Sequence, residues 1–292
     1  MITLTNEDNL ELFKRLGAKS VDIICIDPPY LYLKNQKLER PFDETLFFQQ
    51  CFRVLKNNGF IIMFGRGSSF YRMNTILDRL GLEFKEEIVW DKTQNSSPVL
   101  AISRVHETIS IYGKGKAKII ESRIPYTEIK DTNFESIQQD LKRIKTGLNN
   151  TKSLEALISY VEKGVINYDG AKTRKFHATV QGVVKEQDRA VKIMQSIVQG
   201  MKEKSILKIG RDHYNTLHPT QKPVRLLERL LSICLPDKPK EEITVADFFG
   251  GSFSCAEACI NLGVNFIGCE IDKEYFDKGQ ERIQKIILND LY

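Results

Sequence analysis

Three short stretches hold residues whose types and spacing suit chemistry. The first is Asp27-Pro28-Pro29-Tyr30, directly after the apolar run Ile23-Ile24-Cys25-Ile26. Two consecutive prolines fix the backbone and remove two N–H donors, leaving carbonyl oxygens as acceptors. A carboxylate and a carbonyl at one strand end make a paired acceptor for an –NH₂ group. Tyr30 adds a flat face on which a planar base can stack. The competing reading is a Pro-Pro turn with an aspartate cap. The second stretch is Val245-Ala-Asp-Phe-Phe-Gly-Gly-Ser-Phe-Ser254, a strand, a Gly250-Gly251 turn and a helix start. Glycines there let a ligand approach the backbone, and the helix N-terminus offers N–H groups. Glu270 follows Asp247 by 23 residues, an interval at which an acidic residue accepts hydrogen bonds from ribose hydroxyls. The layout suits an adenosine-bearing cofactor; an ordinary strand–helix turn is the alternative. The third is His218-Pro-Thr-Gln-Lys-Pro223 before a helix, with Thr220 as N-cap and Pro223 in the first turn. Lys222 adds positive charge to an already positive helix end, which favours binding an anion such as a carboxylate. A plain capped helix competes with that reading.

These stretches need a scaffold that brings strand ends together. Apolar runs predict buried strands at Val21–Ile26 and Phe60–Phe64 and further strands at Ile2–Leu4, Phe84–Trp90 and His106–Tyr112. Amphipathic stretches predict helices at Asn9–Leu16, Asp43–Leu55 and Phe70–Leu80. After Gly113 the pattern changes: residues 133–164 and 180–204 read as charged helices around a basic, aromatic-bearing segment. The alternation resumes with a helix over about Gln221–Cys234, a strand at Ile243–Ala246, a helix at Ser254–Leu262, a strand at Asn265–Cys269 and a helix at Lys273–Leu288. This β-α rhythm implies an α/β domain with a mainly parallel sheet, formed by residues 1–113 and 211–292 and interrupted by an insertion at 114–210.

The 292 residues suffice for a core without disulfides or metal staples. With 41% hydrophobic and 28% charged residues the composition is that of a soluble globular protein, and no apolar run approaches the roughly 18 residues of a membrane span. Met1–Asp8 shows no signal-peptide pattern, so a cytoplasmic protein is expected. None of the six cysteines forms a Cys-x-x-Cys pair, and buried reduced thiols are expected rather than a zinc site. Residues 114–210 hold 19 Lys+Arg against 11 Asp+Glu, so the surplus of positive charge falls in the insertion. That is the footprint of a nucleic-acid partner or of a solvated helical surface. Lys172, Arg174, Lys175, Phe176 and His177 are the candidate DNA contacts there.

Taken together and in this order, the three stretches resemble the β-class adenine-N6 amino-methyltransferases of DNA found in restriction–modification systems. Arg53-Val-Leu-Lys-Asn-Asn-Gly59, Ile88-Val-Trp-Asp-Lys92, His106-Glu107 and Ile267-Gly-Cys-Glu-Ile271 are smaller matches. The resemblance covers residues 1–113 and 211–292 and leaves the insertion unassigned. It implies a Rossmann-like seven-stranded methyltransferase sheet with one antiparallel strand, a circularly permuted motif order and an inserted, mostly helical target-recognition domain. It implies S-adenosylmethionine as methyl donor. Asp27, Pro28, Pro29 and Tyr30 match the catalytic motif, with Asp27 also facing the cofactor. Asp8 matches the adenine-side acidic position and Glu270 the ribose position. Asp247, Phe249, Gly251 and Ser252 match the cofactor loop, and His218, Thr220 and Lys222 the segment near the methionine carboxylate. Phe253 departs from the pattern, which has a small residue there, mostly glycine. Its ring must either swing out of the site or intrude on the methionine slot.

The implied activity is site-specific methylation of adenine N6 in double-stranded DNA, by direct transfer and without a metal. A second copy of the chain and a cognate restriction endonuclease are further expected partners, in a bacterial or phage setting. Cytosine-N4, for which family members usually carry serine in place of Asp27, and RNA are alternative acceptors. Enzymes that methylate protein glutamine place the Gly-rich loop before the Pro-Pro motif, the reverse of the order here. A DNA-binding relative that lost its cofactor is a further alternative, resting on Phe253.

Overall fold

A computed structural model of the chain describes residues 1–30, 40–93, 101–130, 133–164, 189–211 and 216–289. The chain forms two units, Met1–Ile120 with Lys204–Tyr292, and Glu121–Glu203. The first unit begins with β1 (Ile2–Asn6), α1 (Asn9–Arg15), β2 (Val21–Ile26), α2 (Glu44–Val54), β3 (Leu55–Gly65), α3 (Gly67–Arg79), β4 (Glu83–Asp91) and β5 (His106–Gly113). The second unit holds β6 (Arg123–Ile124), α4 (Tyr126–Lys130), α5 (Phe134–Leu148), α6 (Thr151–Lys163), α7 (Arg189–Gln199) and β7 (Met201–Lys202). The first unit resumes with β8 (Ile206–Lys208), α8 (Val224–Ser232), β9 (Thr244–Asp247), α9 (Ser254–Leu262), β10 (Asn265–Glu270) and α10 (Lys273–Asn289).

Among the described residues the first unit is built on eight strands in the order β1-β10-β9-β2-β3-β5-β4-β8. Only β5 runs antiparallel, against both β3 and β4. Seven strands make the Rossmann-like sheet with its single antiparallel member, and β8 lengthens the edge by pairing Ile206 with Val89. Both faces of the sheet are covered. Ile23 and Cys25 of β2 pack with α8, α9 and α10, while Ile24 and Ile26 pack with α1, α2 and α3. That double burial explains the unbroken apolar run of β2. The motif order is permuted: β9 and β10, late in the chain, lie beside β2, and Ile23 and Ile24 register with Val245 and Ala246.

Local chemistry sets the helix boundaries and corrects several expected ones. Asp43 caps α2 by accepting the Leu46 N–H at 2.9 Å. Residues 133–164 are two helices, because the Asn150 side chain caps α6 by accepting the Ser153 N–H at 3.2 Å. The described part of the next helix ends at Gln199, before Gly200 at φ +82°. α8 starts at Val224 with Pro223 as its N-cap residue, three residues later than the sequence pattern suggests. Thr220 is therefore not the N-cap; its hydroxyl lies 3.1 Å from His218 Nδ1.

The boundaries of the inserted unit also move, from 114 and 210 to 121 and 203. Lys114, Lys116, Lys118, Lys204 and Lys208 thus belong to the first unit, and the insertion holds 14 Lys+Arg against 11 Asp+Glu. Most of the expected charge surplus is in the flanks. Lys114 is spent structurally, donating to the Phe52 and Leu55 carbonyls at 2.6 and 2.9 Å, where α2 ends. Within the second unit, Leu157, Tyr160, Ala190 and Val191 form a small core. Asp140 gathers Tyr126, Lys130 and Arg143 at 2.9, 3.0 and 3.2 Å.

Candidate active site

The chain leaves β2 toward β3 on one side of the sheet and β9 toward β10 on the other. Open α/β sheets bind ligands at such a switch point, beyond the carboxyl ends of the strands. A cavity of about 270 Å³ lies there, wholly within the first unit. Asp27, Pro28, Pro29 and Tyr30 enter it from the end of β2. Asp247, Phe249, Gly251 and Ser252 enter from the β9–α9 turn, and Glu270 from the end of β10. Asp8 lines it from the start of α1, and His218, Thr220 and Lys222 from the segment before α8. Lys172, Arg174, Lys175, Phe176 and His177 lie outside the described residues.

Asp27 is fully engaged. Its Oδ1 accepts the Tyr30 hydroxyl at 2.5 Å, and its Oδ2 accepts the Lys222 ammonium. Tyr30 is thus tied to Asp27 through its hydroxyl and lines the cavity beside it. Lys222 also faces Glu107 Oε2 at 3.3 Å, and Glu107 Oε1 accepts the Lys92 ammonium. Burial works against the charge on Lys222, but Asp27 and Glu107 outweigh it and hold its pKa above the usual lysine value. Burial likewise opposes the Glu107 carboxylate, and Lys222 and Lys92 overcome it, holding Glu107 down at about 2. The ammonium of Lys222 is directed at two side-chain carboxylates, not at the N-terminus of α8. This replaces the expected helix-end anion site with an alternating chain of charges.

The opposite wall is less balanced. Asp247 accepts the Phe249 N–H at 2.9 Å, with no cation in contact among the described residues. Burial, with Asp27 and Glu270 nearby, pushes its pKa up to about 7. Glu270 accepts the Gly251 N–H at 2.8 Å through one oxygen and the Asp272 N–H at 2.8 Å through the other. Those amides offset burial only partly, and its pKa is raised. His218 packs edge-on against Tyr275 at 4.4 Å, and burial plus Lys222 pushes its pKa down to about 4, so it is neutral at pH 7. Phe249 packs on Phe42 and Phe47, and Ser252 Oγ lies 3.2 Å from Ser254 Oγ.

Phe253 does not enter the cavity. Its ring is fully buried and packs edge-on against Phe266 and Phe276 at 6.4 and 6.0 Å. Its backbone sits at φ +55°, the left-handed region that glycine adopts freely. The ring occupies space released by two other glycines: a Cβ on Gly250 would lie 2.3 Å from it, and one on Gly279 2.7 Å. The family's glycine is thus replaced by a strained phenylalanine whose ring fills the helix–strand junction from the core side.

Sequence reasoning missed two members of the charge chain. Glu107 and Lys92 stood in short matches without an assigned role. Because β5 is antiparallel, its first residues arrive at the same sheet edge as the last residues of the parallel strands. That geometry brings Glu107 to Lys222.

The donor set fits S-adenosylmethionine. Glu7, Asp8, Asp27, Asp247, Glu270 and Asp272 line the cavity against only Arg40 and Lys222 among its cationic side chains. Such an excess of carboxylates suits a ligand bearing a sulfonium and an ammonium. The positive φ of Gly251, +52°, lets the turn pass close to His218.

Comparisons with known proteins agree with the geometry. The DNA methylase family of the N6/N4 methyltransferase type matches residues 21–281. The DNA adenine methyltransferase YhdJ of Escherichia coli K12 is 30% identical over 96% of this chain and 82% of its own length. The type II methyltransferase M.HinfI of Haemophilus influenzae is 24% identical over 97% of this chain and 68% of its own. The fold matches the crystal structure of an M1.HpyAVI–SAM complex with a TM-score of 0.54, at 21% identity over 97% of this chain and 100% of that one. With its motif order, its sheet and its strand-end cavity, the chain belongs to the N6/N4 DNA methylase family.

Proposed function

We propose that the protein transfers a methyl group from S-adenosylmethionine to the N6 amino group of adenine at a specific site in double-stranded DNA. The observation that carries this reading is the placement of Asp27 and Pro28 at the end of β2, in one cavity with Gly251 and Glu270. S-adenosylmethionine supplies an electrophilic methyl group on a sulfonium. Glu270 and the Gly251 turn bind the adenosine end, and the acidic wall favours the cationic end.

The exocyclic nitrogen of adenine is a poor nucleophile, because its lone pair is delocalised into the ring. Asp27 and the Pro28 carbonyl accept its two N–H bonds and favour a pyramidal nitrogen with a localised lone pair. The charge of Asp27 also stabilises positive charge growing on that nitrogen. Fixing the amino group in this geometry supplies a large share of the rate enhancement. The target atom is inaccessible inside a duplex, so the base is flipped. The Tyr30 ring then stacks on the flipped base. Aspartate at position 27, where cytosine-acting members usually carry serine, favours adenine over cytosine, as does the adenine activity named for the E. coli relative.

The inserted unit, with Lys172, Arg174 and Lys175, holds phosphates and reads base edges in this proposal. A DNA substrate places the protein in the cytoplasm, and no helix among the described residues is long and apolar enough to cross a membrane. The type II methyltransferase name of M.HinfI supports a companion restriction endonuclease. Exposed Phe134, Leu141 and Leu148, seven residues apart on α5, support pairing with a second copy, which sedimentation of the purified protein tests. For the activity itself, DNA from cells expressing the chain is sequenced with detection of modified bases. Methylated adenine at one recurring sequence is expected, and unmodified DNA would refute the proposal.

A further inference from the structure

Asp27, Lys222, Glu107 and Lys92 form a line of alternating charges from the cavity toward the β4–β5 edge. Lys222 and Lys92 are 8% and 5% exposed, so water offers their ammonium groups little. Both oxygens of Asp27 are taken, by Tyr30 and Lys222. Glu107 is different: Oε1 is taken by Lys92, but Oε2 is buried and accepts no aligned hydrogen bond among the described residues. That oxygen lies 3.3 Å from the Lys222 nitrogen.

An entering amino group is neutral, so it lacks the Coulomb attraction that the Lys222 ammonium adds to its hydrogen bond with Asp27 Oδ2. The amino group displaces that ammonium only where a second carboxylate stands ready to receive it. We propose that Glu107 is a positioning residue that accepts the Lys222 ammonium when the base's amino group takes Asp27 Oδ2, with Lys92 holding Glu107 in place. No proton moves in this exchange. Lys222 keeps its three protons and trades one carboxylate for another, and the site keeps its net charge. The Phe64 ring, 5.1 Å from the ammonium, flanks it with a favourable π-face. Glu107 and Lys222 hold their charges across the neutral range, as the depressed Glu107 and elevated Lys222 pKa values require. This inference rests on Asp27 as acceptor of the amino group.

Two double variants of equal formal charge separate the exchange from charge balance. In Lys92→Met/Glu107→Gln, Lys222 stays on Asp27 with no second carboxylate. In Glu107→Gln/Lys222→Met, Asp27 is free to receive the base. Single-turnover methylation of a DNA duplex at saturating S-adenosylmethionine is expected to be at least about tenfold faster in the second. Rates within about twofold, or the opposite order, would overturn the exchange. Glu107→Asp provides a route if either double variant fails to fold, since it keeps the charge but withdraws the carboxylate by one methylene. It is expected to slow turnover about tenfold without weakening the methyl donor's binding, and a wild-type rate would overturn the proposal. An Asp27→Ala control distinguishes the two levels. If it stays active, the reading of Asp27 fails and takes the exchange with it; if it is inactive while the double variants are equal, only the exchange fails.

Discussion

The two sides of the cavity treat their carboxylates in opposite ways. On the β2 side Asp27 has a cation and a phenol in contact, and the cation is itself held by a second ion pair. On the β9–β10 side the hydrogen bonds given to Asp247 and Glu270 among the described residues come from backbone amides, and both groups are pushed toward protonation. A carboxylate held by a cation and a phenol keeps a fixed orientation, as an acceptor for an amino group requires. One without a partner stores a charge imbalance that a cationic ligand relieves on binding. In the proposed function this difference suits the β2 side to orienting a neutral group and the β9–β10 side to attracting a cation.

Substitutions on each side test that division. The largest effect is expected from Asp27→Ala, which removes the acceptor: turnover falls at least about a hundredfold, while DNA binding and folding persist. Methyl-transfer rates measured beside gel-shift affinities check it, and retention of a tenth of the wild-type rate would break the comparison. Next comes Phe253→Gly, beside the β9–α9 turn. Loss of the packed ring costs about 3–5 kcal/mol and release from the left-handed backbone returns about 1–2 kcal/mol. The melting temperature therefore drops while S-adenosylmethionine affinity stays near wild type. Tighter binding without a melting change would show that the ring reaches the ligand.

Asp247→Asn probes the uncompensated side through pH. A raised carboxyl pKa means the fold favours the protonated form. That contribution is fully present below about pH 4 and is lost as pH rises through about 7. The variant is therefore expected to melt higher than wild type at pH 8 and to lose that advantage near pH 4, while binding the cationic methyl donor more weakly at pH 8. Melting curves and calorimetry at the two pH values check this; a melting gain independent of pH would contradict it. The smallest effect concerns the insertion. Neutralising Lys172, Arg174 and Lys175 together should flatten the salt dependence of DNA binding by roughly 0.9 for each phosphate left without its cation, with the donor site unchanged. An unaltered slope in a salt titration would remove these residues from the DNA interface.

The motif residues were legible because each group is local. Asp27 and Pro28 share a strand end, and Asp247, Gly250 and Gly251 share one strand–helix turn. The fold class followed from apolar runs buried on both faces. What escaped was non-local. Glu107 meets Lys222 across 115 positions only because β5 runs backward into the same sheet edge. The insertion's true end was hidden because β8 is three residues long, with too little alternation to announce a strand. Its lysines were counted with the insertion for the same reason. The register of α8 depended on Pro223, whose position at the cap and not in the first turn is set by packing of Leu226, Leu227, Leu230 and Leu231. The direction of the Phe253 ring rested on Gly250 and Gly279, and the second of these lies on a different helix.

The central claim is that Asp27 presents the N6 amino group of adenine for methylation. The most direct measurement incubates the purified protein with S-adenosylmethionine carrying a labelled methyl group and unmodified double-stranded DNA, then hydrolyses the DNA to nucleosides for mass spectrometry. The account predicts label in N6-methyl-2′-deoxyadenosine from the wild-type chain and none from Asp27→Ala. Label in N4-methyl-2′-deoxycytidine, or equal adenine labelling by the Asp27→Ala variant, would contradict it.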